Sequence, residues 1–236
     1  MLRLERISVE IDGATVLREA SIEIAKGGTV ALIGRNGAGK TSVLRSIMGF
    51  LRLSSGRISF EGHDLAEVPA HCRPSMGIGY APEDRRLYGS FTLEENLRFP
   101  GEVMRITAAE LSRRLDLVYA VLPELQGMRK RPAAGLSGGQ GKMVALGRAL
   151  VAGARLVLLD EPFQGLAPVL AQRYGTALRA LREADRDIAL LITESNPSLL
   201  RSFADENYLI ERGEVSRHGA LPDSSLAASG LASWIR

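Results

Sequence analysis

Residues 34–41 read GRNGAGKT, a glycine-bounded loop with Lys40 and Thr41 directly behind Gly39. This spacing suits a loop that wraps phosphate. Glycine reaches positive φ without steric cost, so successive backbone N–H groups can turn inward around phosphate oxygens. Gly34, Arg35, Asn36, Gly37, Ala38 and Gly39 would form the cradle. Lys40 would neutralise β/γ-phosphate charge, Thr41 would offer its hydroxyl to Mg²⁺, and Ser42 would follow in the first helical turn. A helix starting near Lys40 directs the positive end of its dipole at the same place. The chain is therefore expected to bind a nucleoside triphosphate.

A second group of chemical residues closes an apolar run. RLVLL, residues 155–159, leads straight into Asp160 and Glu161. Carboxylates at the end of a buried strand are costly without a cationic partner. Mg²⁺ is the expected partner of Asp160, through water, and Glu161 is placed to orient and deprotonate an attacking water. Taken alone, a solvated pair of acids at a strand end would read the same way.

The elements that must position these residues follow from hydrophobic periodicity. Alternation marks strands over 4–11 and 16–24, with Asp12-Gly13 offering a turn between them. TVALI at 29–33 is a buried-type strand, and 41–50 has helical apolar spacing. A further strand is expected over 57–60. Residues 92–122 are rich in Glu, Arg, Leu and Ala, which favours helices, and the first should end within 96–100, because proline disfavours helix in the residue before it. Residues 142–150 and 170–183 read as helices, 187–193 as a buried strand, and 207–217 as a hairpin turning at Arg212-Gly213. Buried strands alternating with helices indicate a parallel sheet in an α/β core. The Ser- and Ala-rich tail, 221–236, reads as a short, loosely packed helix.

Composition adds boundaries. The chain has 236 residues, 45% of them hydrophobic and 24% charged, as in an ordinary globular protein. Its net charge of +3 is only weak evidence of anionic partners. One cysteine, Cys72, allows no internal disulfide and fits a reducing compartment. The histidines, His63, His71 and His218, form no metal-ligand spacing. No apolar run approaches the ~20 residues of a membrane helix. The charged N-terminus does not read as a secretory signal. A cytoplasmic location is expected, with any membrane association made through a partner.

A third motif, LSGGQ at 136–140, completes a pattern. With the phosphate loop before it and LVLLDEP after it, the chain resembles the ABC-type ATPase domain over nearly its whole length. The resemblance implies ATP and Mg²⁺ as ligands. The implied fold is a P-loop NTPase (RecA-like) α/β core, about 1–83 and 154–236, with an antiparallel β subdomain and an inserted helical subdomain, about 84–153. In that family two ATPase domains pack head to tail. Ser137, Gly138, Gly139 and Gln140 would then contact the partner's ATP, not the one held by Lys40. The helical subdomain would touch a membrane-spanning partner.

The finer likeness is to the ATPases of branched-chain amino acid importers, the shorter of the two in particular. PEDRR at 82–86 followed by FTLEENL at 91–97 looks like that group's PEGRR…LTVEENL. EPFQGLAP at 161–168 matches its DEPxxGLAP ending. Most ABC ATPases have glutamine where Glu83 stands, and this group commonly has glutamate. The resemblance implies that Glu83 contributes to the metal and catalytic site. It also places Glu83, Tyr88 and Phe91 in a groove for the permease, although Tyr88 and Phe91 read equally well as core aromatics.

Several positions depart from the pattern. Ile11 stands where an aromatic usually stacks on adenine. Ser195, in TESN, stands at the γ-phosphate sensor in place of histidine or glutamine. Phe163, Gln164, Gly141 and Lys142 are also unusual. Ile11 and Ser195 affect the site around this chain's own loop, while LSGGQ is intact. The expectation is an asymmetric heterodimer with a second ABC ATPase subunit, in which this chain's own site is the slower one. It would sit on the inner face of the cell membrane with two permease subunits, served indirectly by a periplasmic solute-binding protein. Other functions fit the same motifs: a lipid or polysaccharide exporter, or a nucleotide-binding subunit with little hydrolysis of its own. Cytosolic ABC proteins of nucleic-acid or ribosome work usually carry tandem domains or long insertions, so no nucleic-acid partner is expected.

Overall fold

The computed structural model describes residues 1–200 and 203–219. The chain opens with β1 (Leu2–Ile11), β2 (Ala14–Ile24) and β3 (Thr29–Ile33), followed by helix α1 (Lys40–Ile47). Then come β4 (Ser55–Phe60), the two-residue β5 (His63–Asp64), three short 3₁₀ turns and β6 (Ile78–Ala81). Three helices follow: α2 (Leu93–Val103), α3 (Ala108–Val121) and α4 (Gly138–Ala152). The remainder is β7 (Leu156–Asp160), α5 (Pro168–Ala184), β8 (Ala189–Glu194), β9 (Glu206–Glu211) and β10 (Glu214–Gly219).

The strands form two sheets. One is antiparallel, in the order β2-β1-β4-β5. The other runs β10-β9-β3-β8-β7-β6, parallel throughout except for the β9–β10 hairpin. The hairpin turns at Arg212-Gly213, with φ of 50° and 85°. Two successive positive φ values match the right-handed twist of the flanking strands, and glycine accepts the second without strain.

The central strands β3, β7 and β8 are buried along their whole length. Successive side chains in a strand point to opposite faces, and here both faces are covered. Ala31, Ile33, Val157, Leu159, Leu190 and Ile192 join a hydrophobic cluster with the helices α2 to α5. Val30, Leu32, Leu156, Leu158 and Leu191 join a second cluster with α1 and the antiparallel sheet. Continuous apolar runs, rather than alternation, are therefore what these strands need.

Three sequence expectations are revised. Strand β6 was not anticipated; IGYA is short and its glycine weakens any strand signal. Gly79 is needed there because a Cβ would lie 2.0 Å from the carbonyl oxygen of Ala149 on α4. Helix α2 does not end at Pro100 but continues to Val103, with the Met104 N–H bonded to the Pro100 carbonyl. An interior proline loses one helical hydrogen bond. Here the helix is held by the buried Leu93, Leu97 and Gly101, and by a capping box between Thr92 and Glu95. Helix α4 begins at Gly138, four residues before the expected start at Lys142, because Ser137 caps it. The helix expected over 221–236 lies outside the described residues.

Candidate functional site

The glycine loop leaves the carboxyl end of β3, where the Gly34 N–H donates to the Glu194 carbonyl of neighbouring β8. Gly37 (φ 80°) and Gly39 (φ 112°) take the left-handed conformation that the cradle needs. Gly34 is required for a different reason: a Cβ would lie 2.4 Å from the Ile210 carbonyl oxygen. Helices α2, α3 and α4 each start with a side-chain cap, from Thr92, Thr107 and Ser137. Helix α1 starts at Gly39 with none. Its first N–H groups are left for an anionic ligand.

Lys40 is almost wholly buried. Its ammonium donates to the carbonyls of Gly34 (2.6 Å) and Arg35 (3.0 Å). It also pairs with Glu161 Oε1 at 2.9 Å. The other carboxylate oxygen of Glu161, Oε2, is buried with no hydrogen-bond partner among the described residues. Lys40, Thr41, Ser42, Asn36, Gly37, Gly39, Glu83 and Glu161 line one cavity of about 670 Å³. A buried carboxylate oxygen without a partner leaves an acceptor unused beside the cavity.

Asp160, at the end of β7, collects hydroxyl donors. Thr193 donates to Oδ1 at 2.9 Å and Thr41 to the same atom at 3.1 Å, while Tyr80 donates to Oδ2 at 3.2 Å. Burial pushes the Asp160 carboxyl above its ordinary value, and the three hydroxyls act against that shift. A buried carboxylate oxygen beside a threonine hydroxyl is a hard-oxygen set of the kind Mg²⁺ uses. That ion typically keeps several waters and takes one or two protein oxygens besides phosphate. The residues present therefore fit the metal. No cluster of three or more acidic, histidine or cysteine side chains suited to a metal occurs among the described residues.

Sequence reasoning gave no role to Thr193, Glu194 and Tyr80, and marked Lys142 as unusual without giving it one. Glu194 ends the buried run of β8 just as Asp160 ends β7, so the same signal was available. It accepts the Phe163 N–H at 2.9 Å. Burial, joined by repulsion from Glu161, raises its carboxyl to about 7 against the pull of the Phe163 N–H and Lys142. Lys142 donates to the Glu161 carbonyl at 2.7 Å. The unusual Phe163 is a core residue, with its ring 5.5 Å from Tyr174 and 6.0 Å from Phe203. Gln164 lines the loop cavity.

Other expected residues lie apart from this cavity. Ile11 is half-buried and packs against the hydrophobic cluster beneath β1. Val16, Arg18 and Arg212 line the cavity instead. Ser195 is exposed and is not among the lining residues. Ser137 to Gln140 lie elsewhere, at the start of α4, and their local roles are clear. Ser137 Oγ accepts the Gln140 N–H, and Gln140 Oε1 accepts the Ser137 N–H. Gly139 packs against α5, where a Cβ would lie 2.4 Å from Leu170 Cδ1, while Gly138 is exposed.

A second groove, about 750 Å³, runs between the sheet edge and α2. Phe50, Tyr80, Glu83, Arg85, Phe99 and Val103 are among its lining residues. Tyr88 and Phe91 stand behind it in an aromatic cluster with Phe99, at 4.7 Å and 5.8 Å.

Comparison with known proteins places the chain among relatives. A family model described as ABC transporter matches residues 17–164. The high-affinity branched-chain amino acid transport ATP-binding protein BraG of Pseudomonas aeruginosa is 33% identical, over 92% of each chain. The lipopolysaccharide export system ATP-binding protein LptB of Acidithiobacillus ferridurans is 31% identical, over 87% of this chain and 84% of that one. A solved ATP-binding subunit of an ABC transporter superposes with a TM-score of 0.83 at 27% identity, covering 100% of this chain and 98% of the other.

Proposed function

Because the chain belongs to the ABC transporter ATP-binding family, whose members hydrolyse ATP, we propose that it energises uptake of branched-chain amino acids or a related small solute. The observation that carries the chemistry is the meeting of Lys40, Thr41 and Glu161 at one cavity, with Asp160 hydrogen-bonded to Thr41 beside it. The likeness to BraG and the PEDRR and GLAP segments favour import. The likeness to LptB supports lipopolysaccharide export as the second reading.

In the proposed mechanism the loop N–H groups and the α1 N-terminus hold the β- and γ-phosphates. Lys40 transfers its charge from Glu161 to the phosphate oxygens, which frees the Glu161 carboxylate. Glu161 then accepts a proton from the water whose oxygen forms the new bond to the γ-phosphorus as the bond to the leaving ADP oxygen breaks. Asp160 and Thr41 would hold Mg²⁺ with Glu83 at the cavity's edge; when bound, the metal neutralises phosphate charge and orients the oxygens. Ser195 would reach the γ-phosphate side through water. Val16 and the alkyl stems of Arg18 and Arg212, which line the cavity where Ile11 does not, would lie nearest the base in place of an aromatic. Ser137, Gly138, Gly139 and Gln140 would complete the site of a second ATPase subunit packed head to tail. The groove with Phe50 and Val103 would receive the permease, holding the protein at the inner face of the membrane.

Two measurements test this. Glu161→Gln should lower ATP turnover about 10²–10⁴-fold while ATP still binds; unchanged turnover would remove Glu161 from the role. Purification with its membrane subunits, followed by leucine uptake in reconstituted vesicles, separates the transport readings. Uptake that depends on ATP supports import. A complex that extracts lipopolysaccharide and takes up no amino acid supports export.

A further inference from the structure

Glu161 is one of nine non-glycine residues with positive φ among the described residues, and unlike Glu19 and Glu61 it is buried. Its φ is 42°, in the left-handed region. Such a conformation is strained for a residue with a Cβ and persists where surroundings hold it. Three contacts do so. The Glu161 N–H donates to Thr193 Oγ1 at 3.1 Å. Its carbonyl accepts the Gln164 N–H at 3.2 Å and the Lys142 ammonium at 2.7 Å. The Lys142 bond is the shortest of the three and comes from a different element, α4.

Lys142 occupies an unusual setting. It is a half-buried cation whose helix neighbours Gly141, Met143, Val144, Ala145 and Leu146 are buried. Burial pulls its ammonium below the ordinary lysine value, while Glu194, Glu83 and Glu161 pull it up and Arg85 pulls it down. A half-buried ammonium needs a strong acceptor, and here that acceptor is a main-chain carbonyl. The charge-assisted bond therefore fixes the turn after Asp160 and with it the direction in which the Glu161 side chain leaves the strand.

The same helix starts at Ser137. Lys142 lies five positions on, about one and a half turns from the cap. A shift of the α4 N-terminus would move the Lys142 ammonium and pull on the Glu161 carbonyl.

We propose that Lys142 is a positioning residue, holding the Glu161 turn so that its carboxylate stays beside Lys40 at the loop cavity, and coupling that turn to the α4 end that carries Ser137, Gly138, Gly139 and Gln140. The proposal rests on the role given to Glu161 above.

The test compares Lys142→Met and Lys142→Arg in the full chain. Lys142→Met should lower kcat about tenfold or more, because small misplacements of a reacting group are costly. KM and ATP affinity should stay within about twofold, since the Lys142 bond is to the Glu161 carbonyl and not to the loop residues 34–41. Lys142→Arg should recover most of the loss, because a guanidinium can also donate to the carbonyl. Added to Glu161→Gln, Lys142→Met should cause no further fall. Amide exchange at Phe163 and Gln164 should speed up in Lys142→Met while β3 and β8 stay protected.

Unchanged kcat, a raised KM with kcat intact, or a further fall in the double variant would overturn the proposal. So would unchanged exchange over 161–165, a readout that needs no turnover. If Glu161→Gln itself hydrolyses ATP normally, the role of Glu161 fails; exchange still reports whether Lys142 holds the turn. If Lys142→Met does not fold, the arginine variant decides: it should fold, with kcat above one third of the unaltered chain, and a lower value overturns the proposal.

Discussion

At the scale of the residue, the buried acids fix the clearest pH dependence. Glu194 keeps its proton up to about pH 7 in the fold, mainly through burial. An unfolded glutamate releases it near 4.3. Between those values the native chain binds more protons than the unfolded one, so stability falls as pH rises from about 4.3 to 7. A shift of that size corresponds to roughly 3–4 kcal/mol. Glu194→Gln retains an oxygen for the Phe163 N–H and cannot ionise. Urea unfolding at pH 5 and pH 8 should show the variant losing much of the wild-type slope and exceeding wild-type stability at pH 8. A slope unchanged in the variant would assign it to other groups. The sequence made the phosphate loop and the Asp160-Glu161 pair readable, because their spacing is local. It hid Lys142 and Thr193, whose partners at Glu161 and Asp160 lie 19 and 33 positions away. A lysine in a helical run reads as solvated unless the fold is known.

At the scale of the element, helix ends carry two kinds of information that sequence alone does not separate. Ser137 and Gln140 form a capping box, the same device as Thr92 with Glu95. Thr107 caps α3 with its side chain alone. Replacing a capping hydroxyl by alanine costs about 1 kcal/mol. Thr92→Ala, Thr107→Ala and Ser137→Ala should therefore lower chemical stability by similar amounts. Under the proposed head-to-tail arrangement, only Ser137→Ala should also lower ATP turnover, and by much more than its loss of stability explains. Equal turnover in all three would leave Ser137 a cap and nothing else. The expectation of helices over 92–122 covers α3, whose buried Leu111, Leu115, Val118 and Val121 recur at three- and four-residue spacing. It misplaced the end of α2, because Pro100 argues locally for a stop. The burial that overrides it depends on other segments: Leu97 packs at Gly147 of α4, and Gly101 against Ile106 and against Leu111 of α3. Residues Leu97 and Val118 would lie 2.6 Å and 3.0 Å from a Cβ at Gly147, so α2, α3 and α4 meet there through a glycine. That three-helix contact cannot be read from any one segment.

At the scale of the whole molecule, the parallel sheet converges the chemistry on one edge. β3, β7 and β8 end together, delivering the glycine loop, Asp160-Glu161 and Glu194 from segments far apart in sequence. Their alternation with helices made a parallel sheet foreseeable, but the order β10-β9-β3-β8-β7-β6 depends on crossovers that leave no local mark. The LSGGQ turn is not part of that edge: none of Ser137, Gly138, Gly139 and Gln140 lines the cavity with Lys40. A single copy therefore does not surround a nucleotide with both motifs, which is the physical ground for a two-subunit site. Ile11 and Ser195 also stand away from the cavity. Under the proposed head-to-tail arrangement, the half of the site built by this chain would lack an aromatic floor and a direct γ-phosphate contact, while the half offered to the partner would carry the whole LSGGQ turn. In an assembled heterodimer, Glu161→Gln here should reduce ATP turnover less than the equivalent change in the partner, because the partner's loop pairs with this chain's intact Ser137–Gln140 turn. Ser137→Ala here should act in the reverse sense, reducing turnover as strongly as the partner's glutamate change. Steady-state rates of complexes carrying one change at a time measure both effects. Equal losses from the two glutamate changes would show two equivalent sites and remove the asymmetry.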